Sequence, residues 1–172
     1  QFRRKAERDS LTGLFNRSAA LNRMDTALKS GTPQVTFFLI DVDDFKGIND
    51  TYGHPEGDRV LVELAEFLTA AMRREDVVAR LGGDEFAVFA NGLAPGPALD
   101  RIMDHLVRGP FAAQRATDGS APAGPAPSIT VGAACCPGGD EVTFEQVYAL
   151  ADEALYEAKQ AGKAQSRLRV VG

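Results

Sequence analysis

Two acidic clusters carry the chemistry this sequence can do. The apolar run Val35 to Val42 (VTFFLIDV) leads through Asp41 into Asp43-Asp44, and the glycine pair Gly82-Gly83 is followed at once by Asp84 and Glu85. Carboxylates at the end of a buried strand and in a nearby turn can converge on a divalent cation. Mg²⁺ takes one or two protein carboxylates and fills the rest of its shell with phosphate oxygens and water. Taken singly, each cluster reads as a solvated strand end or a turn. Both hang on otherwise apolar strands, and that argues for a shared site. Gly82 and Gly83 tolerate positive φ and let the backbone come close to a phosphate. Other devices are absent from the sequence: it has no G-x-x-x-x-G-K-[ST] loop. Asp41-Val42-Asp43 opens like a calcium loop, but Phe45 stands at the next ligand position.

The elements that must position these acids follow from pattern. Val35 to Val42 reads as a buried strand, and a helix is predicted from Ser18 to Lys29, ending at Gly31. Lys46 to Gly57 reads as loop. Val60, Leu61, Leu64, Ala65 and Leu68 recur at helical spacing within Asp58 to Arg74. Val77 to Leu81 and Glu85 to Ala90 are two strands of a glycine hairpin. A helix over Leu99 to Val107, a mobile Gly/Ala/Pro-rich loop over 116–127 and a strand over Ile129 to Cys136 come next. A helix from Phe144 to Ala161, closed by Gly162, and a strand from Leu168 to Val171 complete the chain. The order β-α-β-β-α-β-α-β implies one α/β (α+β) sandwich, with helices over a mostly antiparallel sheet.

Bulk properties narrow the function. The 172 residues are 44% hydrophobic and 25% charged, enough for one domain with a core. A net charge of -5 supplies no electrostatic footprint for nucleic acid or a membrane surface. Cys135 and Cys136 are adjacent in an apolar run and lack metal-ligand spacing; they read as small core residues in a reducing, cytoplasmic setting. No apolar stretch is long enough to cross a bilayer. The chain starts at Gln1 and reads as a piece of something longer, with residues 1–9 the end of an upstream signalling helix and 10–172 the domain.

Arg80-Leu81-Gly82-Gly83-Asp84-Glu85-Phe86 resembles the signature of the GGDEF family, the diguanylate cyclases. Asp9 to Arg17 (DSLTGLFNR) resembles that family's entry motif. Asp41 to Asp50 and Tyr52-Gly53-His54 resemble its substrate loop, and Ala151 to Tyr156 (ADEALY) its final helix. The resemblance spans nearly the whole chain and implies a ferredoxin-like, palm-type nucleotide cyclase fold. It implies that two GTP condense to cyclic di-GMP and two pyrophosphates, with two Mg²⁺ (or Mn²⁺) ions per site. Asp41, Asp84 and the Val42 carbonyl correspond to metal ligands, and Glu85 to a ligand of the second ion. Asp84 also corresponds to a proposed base, although a carboxylate on Mg²⁺ is a weak one. Asp44, Phe45 and Lys46 correspond to a phosphate-cradling turn, with Lys46 as transition-state stabiliser.

Asn49, His54 and Asp58 correspond to the guanine pocket. A carboxylate at Asp58 accepts from guanine N1–H and the 2-amino group together, and adenine would leave it unpaired. Lys159 and Lys163 are four apart, on one helix face, and correspond to the triphosphate grip. Gly162-Lys163-Ala164 stands where the family usually has Gly-Arg-Asn, so charge is kept and the bidentate fork is lost. Arg73 and Asp76 correspond to an allosteric site for the cyclic di-GMP product, with Arg101 and Arg108 candidates for its second half. The two-fold symmetric product implies a homodimer with both GTPs between the subunits, controlled by an upstream sensor domain. Any membrane attachment would come from that upstream region. A silent domain that binds GTP or cyclic di-GMP to regulate a neighbour is the first rival reading, and an adenylyl cyclase the second. The intact acids argue against the former, and the Asn49 and Asp58 pair against the latter.

Overall fold

β-branched and aromatic residues build the central strand of the sheet. A computed structural model describes residues 6–112, 126–139 and 141–171. Among them, β1 (Val35–Val42) is the middle of five strands, flanked by β3 (Glu85–Asn91) and β4 (Ile129–Cys136). β2 (Val77–Gly82) and β5 (Ser166–Val170) form the edges. The β1–β3, β1–β4 and β2–β3 pairs are antiparallel and β4–β5 is parallel, so the sheet is mixed and mostly antiparallel, as expected.

Helices cover both faces, which is why β1 reads as a continuous apolar run. Alternate β1 side chains serve two cores. Phe38, Ile40 and Val42 pack against α3 (His54–Ala71) and α4 (Pro97–Arg108) through Leu61, Leu64, Leu68, Leu99 and Leu106. Phe37 and Leu39 pack against α1 (Arg17–Lys29) and α5 (Phe144–Gln160) through Met24, Leu28, Val147, Ala151 and Leu155. Cys135 and Cys136 are buried free thiols that point into opposite cores, as their small-hydrophobe reading requires. Asn16 caps α1 by accepting from the Ala19 N–H, and a Thr143–Gln146 capping box opens α5. α5 lies directly on the β4 backbone: a Cβ at Gly132 would stand 2.3 Å from the Ala151 carbonyl oxygen and the Leu155 nitrogen.

The segment 46–57 departs from expectation. It is α2 (Phe45–Tyr52) followed by the first turn of α3, which begins at His54 and not at Asp58. Gly47, Asn49, Asp50 and Gly53 are turn formers, but Ile48 is buried and Phe45 packs beside it, so one face of a short helix enters the core. Gly53, at φ 92, breaks the chain between α2 and α3, and Pro55 starts the new helix. Asp44 adopts the left-handed conformation at the start of α2, where a tight turn was expected. Residues 1–5 of the entering segment, and residues 116–125 of the expected loop, lie outside the described residues.

Candidate active site

The antiparallel register brings the two acidic clusters together. Asp41 pairs directly with Glu85 across β1 and β3, and the Val42 N–H donates to the Asp84 carbonyl at 3.4 Å. The β2–β3 hairpin shifts register between Arg80 and Gly82, and Gly82 (φ 149) and Gly83 (φ 51) complete its turn with conformations that favour glycine. The hairpin is tied down from outside the sheet. The Arg80 Nε donates to the Gly83 carbonyl at 2.9 Å, and its guanidinium pairs with Asp9 at 3.2 Å. Asp9 also accepts from the Thr12 N–H and hydroxyl. The entry motif is therefore a clamp on the hairpin.

A cleft of about 420 Å³ opens beside the hairpin, lined by Asp41, Val42, Asp43, Asp44, Phe45, Lys46, Asn49, Asp84, Lys159 and Lys163. Most of the predicted site residues thus share one wall. Glu85 lies next to them across the ladder, while His54 and Asp58 are exposed on the first turns of α3, outside that lining. A larger groove, about 760 Å³, runs along α1 and β2. It holds neither acidic cluster, so the smaller cleft is the chemically equipped one.

Charge in the cleft is balanced internally. Lys159 of α5 donates to Asp41. Burial raises the Asp84 carboxyl above the usual range and the Asp41 charge raises it further, against pulls from Lys159 and Arg80. Burial does the same to Glu85, opposed by a hydrogen bond from the Tyr148 hydroxyl at 3.0 Å. Burial lowers Lys159, but the Asp41 hydrogen bond and the surrounding carboxylates outweigh it, and the ammonium titrates above its ordinary value. Three hard carboxylates with one displaceable ammonium match the chemistry of a Mg²⁺ or Mn²⁺ site. Among the described residues no three acidic, histidine or cysteine side chains enclose an ion by themselves. Mg²⁺ does not require that, since phosphate and water complete its shell.

Asn49 is held against α3 by a glycine. A Cβ at Gly57 would lie 1.9 Å from the Asn49 Oδ1, so a larger residue there would displace the Asn49 amide. That Oδ1 is buried and, among the described residues, has no hydrogen-bond partner. The first residues of α2, Phe45 and Lys46, line the same cleft, and the Asp44 side chain makes no capping hydrogen bond there.

Asp43 plays a different part from Asp41. Its carboxylate accepts from the Ser128 hydroxyl at 2.6 Å, the Thr130 hydroxyl at 2.5 Å and the Ala164 N–H at 3.1 Å. It lines the cleft beside Asp41, but its oxygens are engaged as a strut between the end of β1, β4 and the α5–β5 turn that carries Lys163. Arg73 and Asp76 are likewise paired. Asp76, with a side chain 1% exposed, accepts from the Arg73 backbone N–H at 2.8 Å and its guanidinium at 3.1 Å, and Arg73 also donates to the Asn91 carbonyl. Asp76 thus holds Arg73 in place of presenting a free edge to solvent. Sequence reasoning missed Tyr148, although it sits eleven residues before Lys159, three helical turns, and so on the same face of α5.

Comparison with known proteins agrees with this geometry. Residues 6–165 match the family described as "Diguanylate cyclase, GGDEF domain". Diguanylate cyclase TpbB of Pseudomonas aeruginosa is 39% identical over 167 residues, covering 95% of this chain and 38% of that protein. Response regulator PleD of Caulobacter vibrioides is 38% identical over 161 residues, 90% of this chain and 34% of that protein. The chain therefore spans little more than a third of these relatives' length. The coiled coil and GGDEF domain of DgcB from Caulobacter crescentus, solved in complex with c-di-GMP, superposes with a TM-score of 0.87 at 27% identity, over 98% of this chain and 88% of that one. The GGDEF domain of TpbB superposes at 0.78 with 38% identity, over 94% and 93%. With the hairpin, the paired acids and the entry clamp in one fold, and a family match over nearly all of it, this chain belongs to the GGDEF domain family.

Proposed function

We propose that this domain is a diguanylate cyclase, condensing two GTP into cyclic di-GMP with release of two pyrophosphates. The observation that carries the reading is the cleft itself: Asp41 and Asp84 in its lining, with Lys46, Lys159, Lys163 and Asn49 around them. The 3′-hydroxyl oxygen of one GTP attacks the α-phosphorus of the other, and the bond to the β-phosphate breaks. The same step repeated in the opposite sense closes the ring. Two bound Mg²⁺ or Mn²⁺ ions would supply charge neutralisation of the triphosphate and a lowered pKa for the attacking hydroxyl.

Asp41, Asp84 and the Val42 carbonyl would hold the first ion, and Glu85 the second. Lys159, paired with Asp41 in this structure, would be released by a bound cation to join Lys163 and Lys46 on the phosphates. Asp44 and Phe45 set the free N–H groups of α2 against the same phosphates. Asn49, with His54 and Asp58 from the start of α3, takes the guanine. Each chain supplies one GTP, so two chains face each other as a homodimer. Arg73, presented by Asp76, serves a separate cyclic di-GMP inhibitory site. A DgcB GGDEF domain solved in complex with c-di-GMP supports product binding in such domains.

The test is GTP turnover with Mg²⁺ over a range of protein concentrations, with the product identified by mass spectrometry. Cyclic di-GMP made at a specific activity that climbs with concentration is expected. GTP binding without product, even after forced dimerisation, would replace this reading with a regulatory binding domain.

A further inference from the structure

Glu85 is held by a residue that nothing above assigns to the reaction. It lies on the sheet face covered by α5, opposite Asp41, and Tyr148 is the donor to its carboxylate among the described residues. The phenol is mounted rigidly. Its ring packs 6.2 Å from the Phe37 centroid and 5.9 Å from that of Phe144, and these two stack edge-on at 5.7 Å. The Thr143–Gln146 capping box fixes the helix just before it, and the Gly132 seat fixes it just after. A hydroxyl so placed has little freedom except to point at Glu85.

We infer, on the reading of Glu85 as a metal ligand proposed above, that Tyr148 is a positioning residue: its O–H holds Glu85 Oε1 and leaves the other carboxylate oxygen for a divalent cation. A ligating carboxylate with a fixed partner loses less freedom when the ion binds, and such outer partners tune metal affinity by roughly 10–100-fold.

Tyr148→Phe removes one oxygen and keeps the ring among Phe37 and Phe144, so the fold is retained and a thermal melt verifies it. The probe is Mn²⁺, titrated by the electron paramagnetic resonance signal of the free ion, in the presence of 3′-deoxy-GTP, which lacks the attacking hydroxyl. Glu85→Gln identifies the Mn²⁺ step that depends on Glu85. Tyr148→Phe should weaken that step about 10-fold or more, and should add no further loss in the Glu85→Gln background. An unchanged step in folded Tyr148→Phe, or an equal loss in both backgrounds, overturns the inference while the site reading stands. A wild-type chain with no Mn²⁺ step sensitive to Glu85→Gln overturns the site reading and this inference with it.

Discussion

Replacing Asp43 by alanine removes three donors' common acceptor at once. Ser128 Oγ, Thr130 Oγ1 and the Ala164 N–H all converge on its carboxylate, and each hydrogen bond to a charged acceptor contributes about 1.5–3 kcal/mol. The three losses are unequal. Ser128 is half-exposed and regains water, and Ala164 N–H keeps its second acceptor, Thr130 Oγ1, at 3.0 Å. Thr130 is fully buried, so its hydroxyl is left without a strong acceptor. A loss of about 3 kcal/mol is expected for Asp43→Ala, and about 1–2 kcal/mol for Asp43→Asn, which keeps the shape and one acceptor oxygen. At about 2–4 °C per kcal/mol for a chain of this size, Asp43→Ala should melt about 6–12 °C lower. Urea unfolding at unchanged m-value separates stability from a change in compactness. Asp44→Asn is the control, because Asp44 is exposed, its side chain makes no capping hydrogen bond, and asparagine tolerates the left-handed conformation Asp44 adopts. An Asp43→Ala loss no larger than that of Asp44→Asn would refute the strut.

Asp9→Asn should cost about 1–2 kcal/mol at neutral pH by weakening the clamp on Arg80. Burial raises the Asp9 carboxyl, but the Thr12 and Arg80 hydrogen bonds lower it further, below 3.8. Its stabilising effect is therefore present above pH 3.8 and fades as pH falls through the lower folded value, so the gap between wild type and variant should close there in acid melts. Lys159→Gln, in chelator, should lose about 1 kcal/mol, a charged hydrogen bond discounted for a side chain 36% exposed. Mg²⁺ should then raise the melting temperature more in the variant than in wild type; equal rises would mean that Lys159 does not compete with the cation. Ala164 sits at φ 50, a left-handed conformation that alanine resists and asparagine tolerates. Ala164→Asn should gain about 0.5–1 kcal/mol, roughly 1–4 °C in a thermal scan.

The strands and the long helices were legible because their patterns are local. β1 was read to the residue, and α3 was recognised from Val60, Leu61, Leu64 and Leu68. The segment at 46–57 was not, because Gly47, Asn49 and Asp50 signal turns, and only burial of Ile48 and Phe45 in the core overrides them. Asp41 and Asp43 are equivalent in sequence, two apart where an apolar strand ends. What separates them is Lys159 on one and Ser128 with Thr130 on the other, more than eighty residues away. Tyr148 reaches Glu85 over 63 positions, a distance no local pattern spans. Gly82-Gly83-Asp84-Glu85 was legible because turn chemistry and acid chemistry coincide there.

Gly132 sets how this domain tolerates change over generations. It pairs with Leu39 in the interior of the sheet and is not one of the cleft-lining residues, yet the α5 backbone rests directly on it. Tyr148 and Lys159 ride on that one helix, and Lys163 follows at its end. A single added methyl would push the helix outward and carry all three groups off their marks together. In a saturation library scored for cyclic dinucleotide output, Gly132 should be as intolerant as the signature acids. A compensating second change should then fall on Ala151 or Leu155, where the helix meets the strand.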